Sequence, residues 1–148
     1  MSHLVTIATQ LRDLAASRAA CKRMGWELLE GQKTFEWYGR YVGDYRAFEK
    51  QLTDLGIKTE DYGKCDHAIK VPGAEYEIGL VQKGDQLVPL WDAYKPGGLQ
   101  DITNENGMGG FLQAYAIEKA KLEARRKGYS VTERTLPNGT VQLQVNVP

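Results

Sequence analysis

Cys65, Asp66 and His67 place a thiol, a carboxylate and an imidazole on consecutive residues, the richest concentration of reactive groups in the chain. Residues two apart on a strand share a face, so Cys65 and His67 are spaced to act as nucleophile and base or as two metal ligands. A zinc site needs two further ligands, and His3 is the only other histidine. The competing reading is a turn leading into a strand, with Asp66 bonding the backbone. The missing ligands favour that turn. Cys65 and His67 remain the low-ranking catalytic or metal-binding candidates, and no cofactor is expected.

Two other groupings invite chemistry. Gly107-Met108-Gly109-Gly110 precedes a helical pattern and would offer backbone N–H groups to a phosphate. It lacks both the preceding strand of a dinucleotide fingerprint and the Lys-Ser/Thr of a P-loop, so a flexible loop is expected instead. Phe35, Trp37, Tyr38 and Tyr41 cluster with Arg40 and Arg46, a composition that stacks single-stranded bases on open sheets. No RNP-like motif accompanies them, and packing is the preferred reading.

Charge narrows the partners further. Nineteen basic residues balance nineteen acidic ones, which leaves no electrostatic footprint for duplex DNA or an anionic membrane. Five basic residues fall between Lys119 and Lys127, but acidic neighbours at helical spacing make this a self-paired, solvated helix flank. No run approaches the ~18 apolar residues of a spanning helix, and MSHLVTI lacks signal-peptide features. Cys21 and Cys65 are the only cysteines. A cytoplasmic protein without a disulfide is expected.

The elements that would position these residues follow from period and punctuation. Leu4 to Ile7 reads as a first strand. Asp13 caps a helix whose apolar positions Leu14, Ser17, Cys21 and Met24 recur at three and four, and Gly25 stops it. Trp26 to Leu29 begins a strand that Phe35 to Tyr38 would continue. Residues 39–63 read as a helical insertion, with Asp44 as cap and Phe48, Leu52 and Leu55 as its stripe. HAIKV, EYEIGLV and QLVPL, separated by Pro72-Gly73 and Lys83-Gly84-Asp85, form an antiparallel meander. Pro89 cannot donate to a ladder, which suggests an edge strand. Residues 92–110 form a long connection with five glycines, expected to be mobile or ordered by a partner. Tyr129 to Thr135 and Thr140 to Val147 flank Pro137-Asn138-Gly139, a hairpin signal, with one face buried and the other wet.

The stretch FLQAYAIEKAKLEARRKGYSV (111–131) carries most of the packing information. At 100° per residue Phe111, Tyr115 and Leu122 share one arc, and Ala116, Ile117, Ala120 and Ala124 lie opposite. The alanine stripe is assigned to the sheet. Phe111, Tyr115 and Leu122 then lie under the insertion helix or form an interface between chains. CKRMGWELLE (21–30) and ARRKGYSVTE (124–133) also share a basic residue, Arg, Gly, an aromatic, an aliphatic and Glu at an offset of 103 residues. An internal duplication or one helix-to-strand connection used twice would each explain this, and the second is the preferred reading. The expected fold is a single-domain α+β two-layer sandwich, mainly antiparallel sheet with helices packed on one face.

The opening MSHLVTIATQLRD, the Gly25-Trp26 helix end, Tyr76-Glu77-Ile78-Gly79 and the 111–131 block before an Asn-Gly hairpin resemble a known family. It is an uncharacterised family of cyanobacteria, plastids, planctomycetes and phages that includes the hypothetical chloroplast reading frame thirty-five protein. The resemblance covers both ends of the chain and little of residues 38–64. It implies no catalytic residues. Relatives are often encoded near an AAA-type ATPase, a second small uncharacterised protein and a ferredoxin-like protein, which implies an accessory role. The expected function is a non-catalytic interaction protein that docks on a larger assembly or self-associates. The alternatives are a small enzyme or metal protein using Cys65 and His67, and a single-stranded nucleic-acid binder.

Overall fold

A computed structural model of the chain describes residues 4–6, 11–39, 52–92, 97–99 and 107–148. In chain order the elements are β1 (Leu4–Thr6), α1 (Leu14–Met24), β2 (Glu27–Glu30), β3 (His67–Lys70), β4 (Glu77–Lys83) and β5 (Gln86–Asp92). α2 (Gly107–Arg126), β6 (Ser130–Thr135) and β7 (Val141–Asn146) complete them. β1, β5, β4, β3 and β2 form one antiparallel sheet in that order, and β6 and β7 form a second sheet of two strands. This is an α+β fold. The proposed cap Asp44 and the stripe residue Phe48, together with Arg40, Tyr41, Arg46 and His3, lie outside the described residues, as do positions 93–96 and 100–106 of the long connection.

Strand periodicity divides the large sheet into two apolar faces. Ile69, Val71, Ile78, Leu80, Leu87 and Trp91 face α1 and α2, packing with Ala16, Ala20, Cys21, Phe111 and Tyr115. The alternate residues Ala68, Val88 and Leu90 pack with Phe35, Leu52, Ile57, Tyr62 and Cys65. Helices α1 and α2 therefore cover one face, and residues of the 35–65 segment cover the other. Gly79 makes this second layer close: a Cβ there would collide with the Phe35 ring. The 35–38 stretch does not continue β2; only an isolated bridge, Thr34 to Lys64, forms beside it.

Both helices end in the same way. Gly25 (φ 75°) and Gly128 (φ 81°) adopt the left-handed conformation. Gly25 N–H bonds the Lys22 carbonyl at 3.2 Å and Trp26 N–H bonds that of Cys21 at 2.8 Å. Gly128 N–H bonds Arg125 at 2.9 Å and Tyr129 N–H bonds Ala124 at 3.0 Å, the same Schellman pattern. The ion pairs repeat as well. Arg18 Nε donates to Glu30 at 3.2 Å, and Lys121 Nζ, 103 residues after Arg18, donates to Glu133 at 3.1 Å. At the other end of α1, the Asp13 carboxylate accepts from Ala16 N–H at 3.1 Å, as an N-cap should.

Two expectations fail here. Pro89 was read as marking an edge, but β5 lies between β1 and β4. Leu87 N–H points toward the β1 side, bonding the Leu11 carbonyl, and β1 pairs from Leu90 to Asp92. The nitrogen of Pro89 lies on the same side as that of Leu87, so its missing N–H takes no bond from the ladder to β4, and an inner strand accommodates it. Gly107 to Gly110 is not a loop but the first turn of α2. Tertiary packing of Phe111 overrides the weak helix propensity of glycine.

Candidate functional site

Cys65 and His67 do lie along one strip of backbone, that of residues 31–33. Cys65 Sγ donates to the Gln32 carbonyl at 3.2 Å, and Cys65 N–H donates to the Lys33 carbonyl at 2.8 Å. Gly31 N–H donates to His67 Nδ1 at 3.0 Å, so the ring proton sits on Nε2. Asp66 accepts Gln82 N–H at 2.7 Å and has its own N–H on the Leu80 carbonyl. Thiol, imidazole and carboxylate thus each fasten a loop to the sheet. Cys65 is 7% exposed. Burial first, then the Asp66 and Glu77 charges, push its thiol up to about 12, the opposite of an activated nucleophile. No group of three or more His, Cys, Asp or Glu able to hold a metal exists among the described residues.

A cavity of about 240 Å³ opens beside this turn, lined by Ile57, Asp61, Lys64, Cys65, Val81 and Lys83 among others. Its polar groups are largely committed within the chain. Lys83 Nζ donates to the Gly56 carbonyl at 3.1 Å, and the Asp61 carboxylate accepts Lys58 N–H at 3.3 Å. The Gln82 side chain donates to the Gly84 and Gln86 carbonyls. Two acids and two lysines give it no net preference for an anion or a cation.

The aromatic residues proposed for base stacking are turned to packing. Phe35 is 4% exposed over Gly79. Trp37 lies over Gly63 and meets Tyr62 edge-to-face at 6.1 Å. Tyr38 is exposed, but its N–H is held by the buried carboxylate of Asp92 at 3.0 Å. No open ladder of rings is formed by these three.

The assignment of the α2 faces is reversed. Phe111 is fully buried and stacks on Trp26 with centroids 5.5 Å apart. Tyr115 is buried, and its hydroxyl accepts both Arg12 N–H (3.0 Å) and Asp13 N–H (3.1 Å) ahead of α1. Leu122 packs half-buried against the same core. These candidates for an interface are intrachain anchors. Ala116 and Ala120 are exposed, while Ile117 and Ala124 are buried. α2 contacts both α1 and the β6–β7 hairpin.

One flank of α2, expected to be solvated, is a network instead. Arg23 of α1 reaches Glu118 (3.2 Å) on α2 and Glu133 on β6, and Lys121 reaches Glu133 (3.1 Å) and Glu118 (3.6 Å). These side chains are only 12–28% exposed. The Arg23 bond foremost, with help from Lys121, lowers the Glu133 carboxyl to about 2. On the other flank Lys119 pairs with Glu123 at 3.5 Å. Arg126 ties the end of α2 to Asp13 at 3.2 Å.

What sequence reading missed is the hairpin's separation from the main sheet. Val131, Glu133, Val141, Leu143 and Val145 share the face toward α2, since Val131 opposes Val145 and Glu133 opposes Leu143. One helix cannot cover it: Val145 is 47% exposed and Val147 66%. Alternation announced one apolar face, but nothing local revealed that the hairpin stands outside the main sheet. No protein-family model, curated protein or solved structure matches the chain.

Proposed function

We propose that this protein works by association rather than by catalysis, as an accessory module that docks on a larger assembly or on itself. The observation that carries this reading is the hairpin's apolar face, with Val145 and Val147 in solvent beside half-buried Val131, Val141 and Leu143. Partly covered apolar strands of a two-stranded sheet gain stability from a partner that buries them. The reactive side chains offer no competing site, because Cys65, Asp66 and His67 are spent on backbone bonds. The resemblance to the chloroplast reading frame thirty-five family belongs to the same proposal, with an AAA-type ATPase as one assembly to test. No helix among the described residues is long and apolar enough to cross a membrane.

The test compares complexes isolated natively on tagged wild-type chain and on Val145→Lys, with thermal unfolding confirming that both fold. Proteins held by the wild type should be lost from the variant. An identical set on both would contradict a docking role for this face.

A further inference from the structure

We infer that β7 is a self-pairing edge, and that its occupant is β7 of a second copy of this chain, added antiparallel to give a continuous four-stranded sheet. This rests on the association reading and specifies its partner. The Leu136 N–H to Thr140 carbonyl bond (2.8 Å) sets the phase of the hairpin. With Thr135 opposite Val141 and Arg134 opposite Gln142, the residues Gln142, Gln144 and Asn146 exchange bonds with β6. Val141, Leu143 and Val145 then direct their N–H and C=O groups away from β6, on the open side of a sheet that ends at β7.

Charge separates this edge from those of β2 and β6. The two sheets leave β1, β2, β6 and β7 at their edges among the described residues. β2 carries Glu27 and Glu30, and β6 carries Glu133 and Arg134. Charge is a usual means by which proteins block edge-to-edge pairing. From Thr140 to Pro148 there is no charged residue. Two copies of β7 therefore approach without like-charge repulsion, and an alternating strand matches its own reverse. The register that uses all of Val141 to Val147 centres on Gln144. It sets Leu143 opposite the second copy's Val145 and Val141 opposite its Val147, which covers the two most exposed valines. Gln142, Gln144 and Asn146 line the other face as an amide row.

The test measures particle mass of the purified full chain by light scattering and sedimentation. The wild type should form a particle of twice the 16.6 kDa chain mass. Gln144 is exposed, so Gln144→Lys and Gln144→Glu should still unfold cooperatively, at the Tm the wild type shows when diluted to single chains, while each returns to single-chain mass. Mixing these two variants should restore the doubled mass, because opposite charges then meet at the centre of the register. Val145→Pro, which removes one outward N–H and spares the bonds to β6, should also give single chains. A wild type that stays at single-chain mass at its highest soluble concentration would overturn the pairing. So would variants that dimerise as well as the wild type. If wild-type chain is monomeric yet loses captured proteins on Val145→Lys, the self-pairing fails while the docking role of the hairpin stands.

Discussion

At Tyr115 a single hydroxyl oxygen accepts two backbone N–H groups that lead into α1, more than a hundred residues away. Tyr115→Phe keeps the ring and strands both donors, which are only part-buried and partly reached by water. It should cost about 1 kcal/mol, read as a lower urea midpoint at unchanged slope. The larger cut Tyr115→Ser should cost about 3–5 kcal/mol through the cavity it leaves. Glu133 makes a pH prediction. Its carboxyl lies at about 2 in the folded chain against an ordinary 4.5, because the Arg23 bond holds it ionised. Depressed in the fold, it contributes stability that is fully present above about 4.5 and is lost as pH falls toward about 2. Thermal unfolding across that window should therefore show a steeper loss for the wild type than for Glu133→Gln. Equal slopes would mean that the Arg23–Glu133 pair is solvent-screened.

The elements were legible wherever their determinants are local. Asp13 and Gly25 mark the ends of α1 with side-chain and φ requirements confined to one turn, and Pro137-Asn138-Gly139 marks the hairpin by the same logic. Two features were not local. The 3.6-residue period of α2 displays its apolar arc but does not say which neighbour meets which side, since Trp26 and Arg12 are distant in sequence. Pro89 sits in an inner strand because its nitrogen points away from β4, a matter of ladder phase that its own sequence neighbourhood does not display. With the faces reassigned, Ala120 is solvent-exposed, so Ala120→Leu should change stability by less than about 0.5 kcal/mol. Glycines in and after α2 separate helix from turn. Gly109 is helical with open space where a Cβ would go, so Gly109→Ala should stabilise by about 0.5–1 kcal/mol. Gly128→Ala, at φ 81°, should destabilise by about 1 kcal/mol. Opposite signs in thermal unfolding would confirm the two environments.

The whole molecule has apolar packing on both faces of a five-stranded sheet, and a hairpin that hangs on α2 beside it. β2 and β6 leave their helices through the same cap and the same basic–Glu pair, yet β2 joins a sheet of four other strands and β6 pairs with only one. That difference is what makes the C-terminal sheet incomplete in a single chain and gives the proposed association its site. Amide hydrogen exchange on the purified chain at several concentrations tests this most directly. Gln142, Gln144 and Asn146, bonded to β6, should be protected throughout. Val141, Leu143 and Val145 should be protected when the chain is concentrated and exchange freely on dilution. Free exchange of those three amides at every concentration would contradict pairing at β7.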